Sequence, residues 1–420
     1  MRKFAGPLVS RMIPRIPALA AVATILLILG IGALKQGNPT AAWHVLHLPS
    51  TSPHFIDTHT VTNSIDCVLA GQDPFTIRTF DPWHRLYNYP PIWLDLRYLG
   101  ITSRSSTLMG TTLALLTAAS SLLLFRATTW AGAAIVFLAL TSRIVFFAIE
   151  LGNIDQFVFA LLVFGFFLID RLPPHRNTLN GILSGLLIAV LTILKVYPVV
   201  GAIIFLRSRR GLLKTILAAT VAIAALVLTS GPKLPIFLAN TPRDYMMSFG
   251  SFPFFLALVN AILPSSQSRL LLHPNAASIG AIVIAAVLLT ASLLFRNRLV
   301  QFLPRLDFDH ARGRIAICGL AIFSLAFIFG ANYNYRLLFL FGALAYLVED
   351  LNNNPSRRPL LIAAPILFLM WAPFKLTLIH EIPDGLVFVL AITWLGTSLL
   401  PRASQRENAA LPQLRTLQSN

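Results

Sequence analysis

The chain alternates long apolar runs with short polar breaks over most of its length. Apolar runs occupy 18–34, 107–125, 128–149, 154–170, 179–206, 212–230, 252–264, 276–295, 315–330, 336–348, 359–373 and 385–400. A bilayer core of ~30 Å takes roughly 20 apolar residues per helical span, so the pattern predicts about ten full spans. The run 252–264 is short. The run 179–206 is longer than one span and is interrupted at Lys195-Val196-Tyr197-Pro198.

The longest polar interruption is 37–106, which reads as a first extracytoplasmic loop with short helices. It carries Asp57, Asp66, Asp73 and Asp81, with Trp83, Tyr87, Tyr89 and Trp93 close behind. From Thr58 to Ala70 the period is helical, with Val61, Ile65, Val68 and Leu69 on one stripe. Asp57 continues that stripe by one turn and points at protein or bilayer. Asp66 lies about 140° from Val61 on the wheel and points at solvent. Gly71 followed by Pro74 ends the helix. Tyr89-Pro90-Pro91 holds an extended segment. The aromatics of this loop suit an interfacial belt, and equally the stacking of sugar rings.

Composition agrees with the pattern. Of 420 residues, 56% are hydrophobic and 12% charged, against about 25% charged in soluble domains. One integral domain, 1–400, is expected, followed by a polar, disordered cytoplasmic tail at 401–420. The basic N-terminus precedes a run that lacks a small-residue cleavage site, so it reads as an uncleaved first span. The formal charge of +17 suggests nucleic acid on a soluble protein. Here the cations sit in short loops between spans, where the positive-inside rule accounts for them, and no nucleic-acid partner is expected. Cys67 and Cys318 offer neither a disulfide nor metal-ligand spacing. No metal ligands and no cofactor are assigned, and a divalent metal stays open.

Charge also sets orientation. With Arg2, Lys3, Arg11 and Arg15 inside, the inside loops collect Arg126, Arg171, Arg176, Arg207, Arg209, Arg210, Lys214, Arg296, Arg298, Arg305, Arg312, Arg314, Arg357 and Arg358. The agreement requires that 179–206 not cross once, since both its ends are basic. Two half-helices meeting near Pro198, with Lys195 at the tip, satisfy this. One kinked span with a local violation of the charge rule is the alternative. The hairpin topology gathers the 37–106 loop, Glu150 to Asp155, Arg243-Asp244, Asn332 to Arg336, and His380-Glu381 with Asp384 on the outer side.

Several of these residues suit chemistry. Asp57 is either the N-cap of its helix or a base. Glu150 ends a helix where its charge opposes the dipole, and Gly152-Asn153 reads as a tight turn. Lys195 inside an apolar run either snorkels or finds a partner. Arg336 is an interfacial anchor or a ligand contact. Arg143 reads as a structural partner of Glu150, seven residues on.

Five segments in order carry a resemblance. They are the Asp57 helix ending in Ala70-Gly71-Gln72-Asp73-Pro74-Phe75, Tyr89-Pro90-Pro91, Gly152-Asn153-Ile154-Asp155, Lys195-Val196-Tyr197-Pro198, and Asn332-Tyr333-Asn334-Tyr335-Arg336. Together they resemble the polyprenyl-phosphate-dependent mannosyltransferases of glycosyltransferase family 87, within the GT-C superfamily, over roughly 50–340. The resemblance implies an all-α polytopic membrane protein with a GT-C-like bundle. It implies transfer of a hexose, mannose by the family's habit, from a polyprenyl-phosphate sugar to a glycolipid or glycan acceptor, with inversion. The enzyme is then an integral, multi-pass protein of the cytoplasmic membrane, in contact with its lipid, and works at the outer face. Asp57 matches the family's loop aspartate, with Asp66 in reserve, and Lys195 sits in its Lys-x-Tyr-Pro.

On this reading Asp57 is the general base, and Lys195, Arg336 and Arg243 contact the donor phosphate. Tyr89, Trp93, Asn153, Asp155, Tyr197 and Asn334 line the sugar and acceptor. A polytopic transporter or lipid flippase is the alternative, since it too would carry embedded charges.

Overall fold

A computed structural model describes residues 13–36, 43, 48, 51–173, 177–207, 210–242, 247–263, 274–329, 332–354, 356–372 and 377–399. The expected tail at 401–420 lies outside the described residues. The helices are α1 (Ile16–Gln36), α2 (Ile56–Leu69), α3 (Ser106–Leu124), α4 (Trp130–Leu140), α5 (Arg143–Leu151), α6 (Asp155–Ile169), α7 (Asn177–Leu194) and α8 (Gly211–Ser230). They continue as α9 (Lys233–Ala239), α10 (Ser251–Ile262), α11 (Pro274–Leu299), α12 (Ala311–Ile328), α13 (Phe341–Asn353), α14 (Arg358–Trp371) and α15 (Leu378–Leu399). Tighter 3-10 segments occupy Pro91–Leu99, Tyr197–Phe205 and Asn334–Leu340.

Among the described residues, seven stretches are long and apolar enough to cross a membrane: Ile13–Gly32, Ser103–Leu124, Trp130–Leu151, Gly211–Ser230, Ala276–Leu299, Ala311–Ile328 and Leu378–Leu399. Asp155–Ile169, Thr178–Leu194, Ser251–Ile262 and Arg358–Trp371 are shorter apolar helices. Outer helices turn leucines away from the protein: Leu228 on α8 is 84% exposed and Leu294 on α11 is 75% exposed. Such a surface is stable only against lipid. The protein is an all-α, multi-pass membrane protein.

The centre of the bundle is α12, buried along nearly its whole length. Gly319 lets it approach the segment Asn334–Leu340 closely: a Cβ there would collide with the Phe339 carbonyl oxygen. Around this seam aromatic rings fill the core. Phe159 lies edge-on to Phe339 and Phe341 at 6.0 and 5.9 Å between centroids, and Phe125 meets Phe341 at 5.4 Å. Such pairs add about 0.5–1.5 kcal/mol each beyond their burial.

The run 179–206 folds back on itself. Helix α7 ends at Leu194, and Tyr197–Phe205 returns beside it. A Cβ on Gly201 would lie 3.5 Å from Ile188, and one on Gly185 would lie 4.0 Å from Phe205. Residues 20 apart on one straight helix stand roughly 30 Å apart. The turn is therefore at Lys195-Val196, and Pro198 stands in the first turn of the returning segment.

Two features depart from the pattern read in the sequence. The run 128–149 is broken at Thr141-Ser142, where Ser142 leaves the helical region (φ −70°, ψ 158°) and starts α5. An antiparallel ladder of two residues per strand, β1 (Ser248–Phe249) and β2 (Asn332–Tyr333), pairs Ser248 with Tyr333. It clips the segment before α10 beside Arg336.

The polar ends separate. At one end Ala127 N–H donates to the Pro14 carbonyl at 2.7 Å, Arg312 pairs with Glu349 at 3.3 Å, and Arg314 pairs with Asp170. Arg207 lies 5.6 Å over the Phe308 ring. At the other end α2, the 81–93 segment, the α5–α6 turn, the Lys195 turn and Arg336 come together.

Candidate active site

Helix α2 begins after Phe55, which adopts a left-handed conformation (φ 60°) and supplies no side-chain cap. Its N–H instead donates to the Glu150 carbonyl at 2.9 Å, and Thr58 Oγ1 donates to the Gly152 carbonyl at 2.7 Å. The start of α2 is thereby docked on the α5–α6 turn. That turn needs Gly152, whose φ is +59°. A side chain there would also press on Phe55 and Thr58.

This docking presents Asp57 to Asn153. Asn153 Nδ2 donates to Asp57 Oδ2 at 2.6 Å, and Asn153 Oδ1 accepts the Asp155 N–H at 2.8 Å. The amide is thus used from both sides. It also lies 3.4 Å from the Tyr89 hydroxyl. Asp57 is 7% exposed and caps nothing; its carboxylate faces inward, as the stripe on α2 predicts.

Asp155 carries the cations. Lys195 Nζ lies 3.0 Å from Asp155 Oδ1, and Arg336 Nε donates to Oδ2 at 3.3 Å. Arg336 Nη1 also donates to Asn332 Oδ1. Lys195 stands 4.5 Å above the Tyr89 ring, and the Arg336 guanidinium 5.1 Å above that of Tyr197. Lys195 does not snorkel: its charge is met by Asp155 and an aromatic face. Asp57, Tyr89, Asn153, Asp155, Lys195, Tyr197 and Arg336 thus form one contiguous cluster, drawn from five separate parts of the chain.

The remaining candidates stand apart from it. Asp66 receives the Ser103 N–H at 3.2 Å, nine residues and roughly 13 Å along α2 from Asp57. Trp93 is packed, with Nε1 donating to the Leu194 carbonyl at 3.0 Å and its ring edge-on to Phe157 at 5.7 Å. It supports the Lys195 turn from behind. Asn334 donates its N–H to the Met247 carbonyl at 2.9 Å, extending the ladder. Arg243 lies outside the described residues.

Two members of the site, Arg85 and Asp81, are given no role by the sequence pattern, although Asp81 is one of the four aspartates of the first loop. Arg85 Nη1 donates to Asp57 Oδ1 at 2.8 Å, and its Nε reaches Asp81 Oδ1 at 3.3 Å. Nη2 donates to the Ile56 carbonyl at 2.8 Å and also to Thr60 Oγ1. Burial works against the Arg85 charge, but Asp57 and Asp81 outweigh it and hold its pKa above the ordinary value. Asp81 is buried at 4% exposure and also accepts Thr60 Oγ1 at 2.6 Å. Burial pushes the Tyr89 phenol well up, and Asp57 adds to that, so it stays neutral.

Glu150 does not pair with Arg143. Seven residues on one helix are roughly 10 Å apart, beyond direct contact. Glu150 instead accepts Trp43 Nε1 at 2.6 Å, Thr51 N–H at 2.6 Å and Thr51 Oγ1 at 2.9 Å, with His54 Nδ1 at 3.3 Å. It stitches the first loop to α5.

Among the described residues, no group of three His, Cys, Asp or Glu side chains is placed to hold a metal. A cavity of about 940 Å³ opens at the opposite, basic end, between Asp170, Arg305, Arg312, Glu349 and Arg358. It includes none of the cluster. The chemistry, with a buried carboxylate linked to buried cations, locates the candidate site at the Asp57 end.

The cluster can accept a proton at Asp57 and hold an anion at Lys195 and Arg336. No curated protein matches the chain. Among solved structures, ArnT from Cupriavidus metallidurans, crystallised in the apo state, overlaps 90% of this chain and 78% of its own at 14% identity, with a TM-score of 0.36. Residues 87–298 match the profile of Glycosyltransferase family 87. This half of the chain holds Tyr89, Asn153, Asp155, Lys195 and Tyr197, while Asp57 precedes it and Arg336 follows it. The chain belongs to glycosyltransferase family 87, and is a membrane glycosyltransferase.

Proposed function

We propose that the protein transfers a hexose, mannose by family habit, from a polyprenyl-phosphate sugar to a glycolipid or glycan acceptor, with inversion at the anomeric carbon. The observation that carries the reading is the chain Asp57–Asn153–Asp155, which ties one carboxylate to two buried cations.

The donor is already activated, because phosphate leaves readily. The acceptor hydroxyl attacks the anomeric carbon, the bond from that carbon to the phosphate oxygen breaks, and the hydroxyl proton passes to Asp57. A positioned base contributes typically 10²–10⁴-fold. Lys195 and Arg336 meet the charge that grows on the departing phosphate. Asp155 holds both cations in place while no phosphate is bound. Tyr89 and Tyr197 supply flat walls for the sugar, and Arg243 is a further phosphate contact. Trp93 backs the Lys195 turn, and Asn334 extends the strand pairing beside Arg336. The prenyl tail lies between helices, which is why the site belongs in a membrane bundle.

The site faces outward from the cytoplasmic membrane. The arginine-rich end, with Arg15, Arg126, Arg207, Arg312 and Arg314, is opposite the Asp57 end, as the positive-inside rule asks of a cytoplasmic face.

The test uses purified protein in detergent with a polyprenyl-phosphate hexose and a glycolipid acceptor. Released polyprenyl phosphate and glycosylated acceptor are both measured. Equal release of the two, abolished in Asp57→Asn, supports the reading. Full turnover by Asp57→Asn removes Asp57 from the mechanism. Movement of the sugar lipid across vesicles without transfer points to a transporter instead.

A further inference from the structure

We infer that Asp81 and Arg85 are positioning residues for Asp57, a role that rests on Asp57 acting as the base. The guanidinium is fixed at one end by both oxygens of Asp81, 3.3 Å from each. It is fixed along its side by the Ile56 carbonyl and Thr60 Oγ1, both on the helix that carries Asp57. Its free corner, Nη1, meets Asp57 Oδ1 at 2.8 Å. Arg85 cannot leave Asp57 without giving up Asp81 as well.

Asp81 is the anchor of this arrangement. Its backbone turn is closed by its own carboxylate, which accepts the Trp83 N–H at 2.8 Å and the Arg85 N–H at 3.2 Å. One carboxylate therefore sets both the backbone and the side chain of Arg85. Asp57 is then gripped on both oxygens, by Arg85 on Oδ1 and by Asn153 on Oδ2. The grip stops rotation of the carboxylate. Each oxygen still has a lone pair free, because a carboxylate offers about four acceptor positions. A base held in one orientation presents that lone pair to the acceptor in every encounter, which is the entropic part of catalysis.

A purely structural role would tie the 81–85 turn to α2 and nothing more. The two roles separate in kinetics. Arg85→Gln and Asp81→Asn are measured singly and together, with Asp57→Asn as the reference for loss of the base. The expected result is a kcat lower by roughly 30-fold for Arg85→Gln and roughly 10-fold for Asp81→Asn, with donor KM within about threefold of wild type. The double variant is no worse than Arg85→Gln, because Asp81 acts through Arg85. Millimolar guanidinium restores part of the activity of Arg85→Gly and none of that of Asp57→Asn.

Undiminished kcat in Arg85→Gln overturns the proposal. So do losses that multiply in the double variant, or a loss confined to thermal stability and KM. If Arg85→Gln fails to fold, Arg85→Lys is judged by the same kcat and KM criteria. An inactive Asp57→Asn beside a fully active Arg85→Gln rejects only the positioning role. A fully active Asp57→Asn rejects the base itself.

Discussion

Asn153 and Asp57 lie 96 positions apart in the chain, yet the Asn153 amide donates to the Asp57 carboxylate at 2.6 Å. The contact exists because the left-handed Gly152 turns the chain between α5 and α6 just where α2 docks. The same asparagine accepts the Asp155 N–H, so it couples the acidic and the cationic halves of the site. Replacing it by alanine is expected to cost about 1–2 kcal/mol of stability and about 10-fold or more in kcat. Thermal melting and steady-state transfer assays check the two effects separately.

Gly152→Ala tests the turn itself. Its φ of +59° is strained for alanine, and the added Cβ would lie 2.9 Å from Phe55 Cβ. A loss of roughly 1–3 kcal/mol is expected, with transfer falling further as Asn153 is displaced. Melting beside a surface control, Gly30→Ala, reads the difference, since nothing stands within 4 Å of a Cβ at Gly30.

The Lys195–Asp155–Arg336 group makes a prediction about order of removal. Taking away Lys195 alone leaves Asp155 with Arg336, so Lys195→Met is expected to fold and to lose transfer by about 100-fold. Removing both cations strands a carboxylate that is 1% exposed, at a cost of about 3–5 kcal/mol. Adding Asp155→Asn to that double variant is expected to restore much of the melting temperature without activity. A triple variant no more stable than the double one contradicts the pairing.

Much of this site is legible in the sequence, and the reason is physical. Asn153, Asp155, Lys195 and Arg336 stand out because polar residues interrupting apolar runs are costly unless they meet one another, while Tyr89 and Tyr197 are marked by the family resemblance. The hairpin at Lys195 follows from charge, since both ends of 179–206 are basic. Arg85 does not stand out, and nothing separates Asp81 from the other aspartates of the first loop. Both sit among Arg78, His84 and other polar residues in a loop with no periodicity, and only the fold shows which of these turns inward. The true partners of Glu150 were hidden for the same reason: Trp43 and Thr51 are about a hundred residues away. A two-residue ladder leaves no mark on the hydrophobic pattern, and the break at Ser142 leaves only the polar triplet Thr141-Ser142-Arg143.

Glu150→Ala should loosen the first loop. Three donors lose one buried acceptor, and each stranded group costs about 1–3 kcal/mol. Faster proteolysis within the first loop and a lower melting temperature are expected. Glu150→Gln, which keeps a carbonyl acceptor, is expected to lie between alanine and wild type.

The most direct measurement is a structure of the protein in lipid with a non-hydrolysable polyprenyl-phosphate sugar analogue bound. The account predicts the phosphate at Lys195 and Arg336, with the face of the anomeric carbon opposite the phosphate open toward Asp57. A phosphate seated instead in the Arg305–Arg312–Arg358 cavity at the other end of the bundle, with the Asp57 cluster unoccupied, would contradict it.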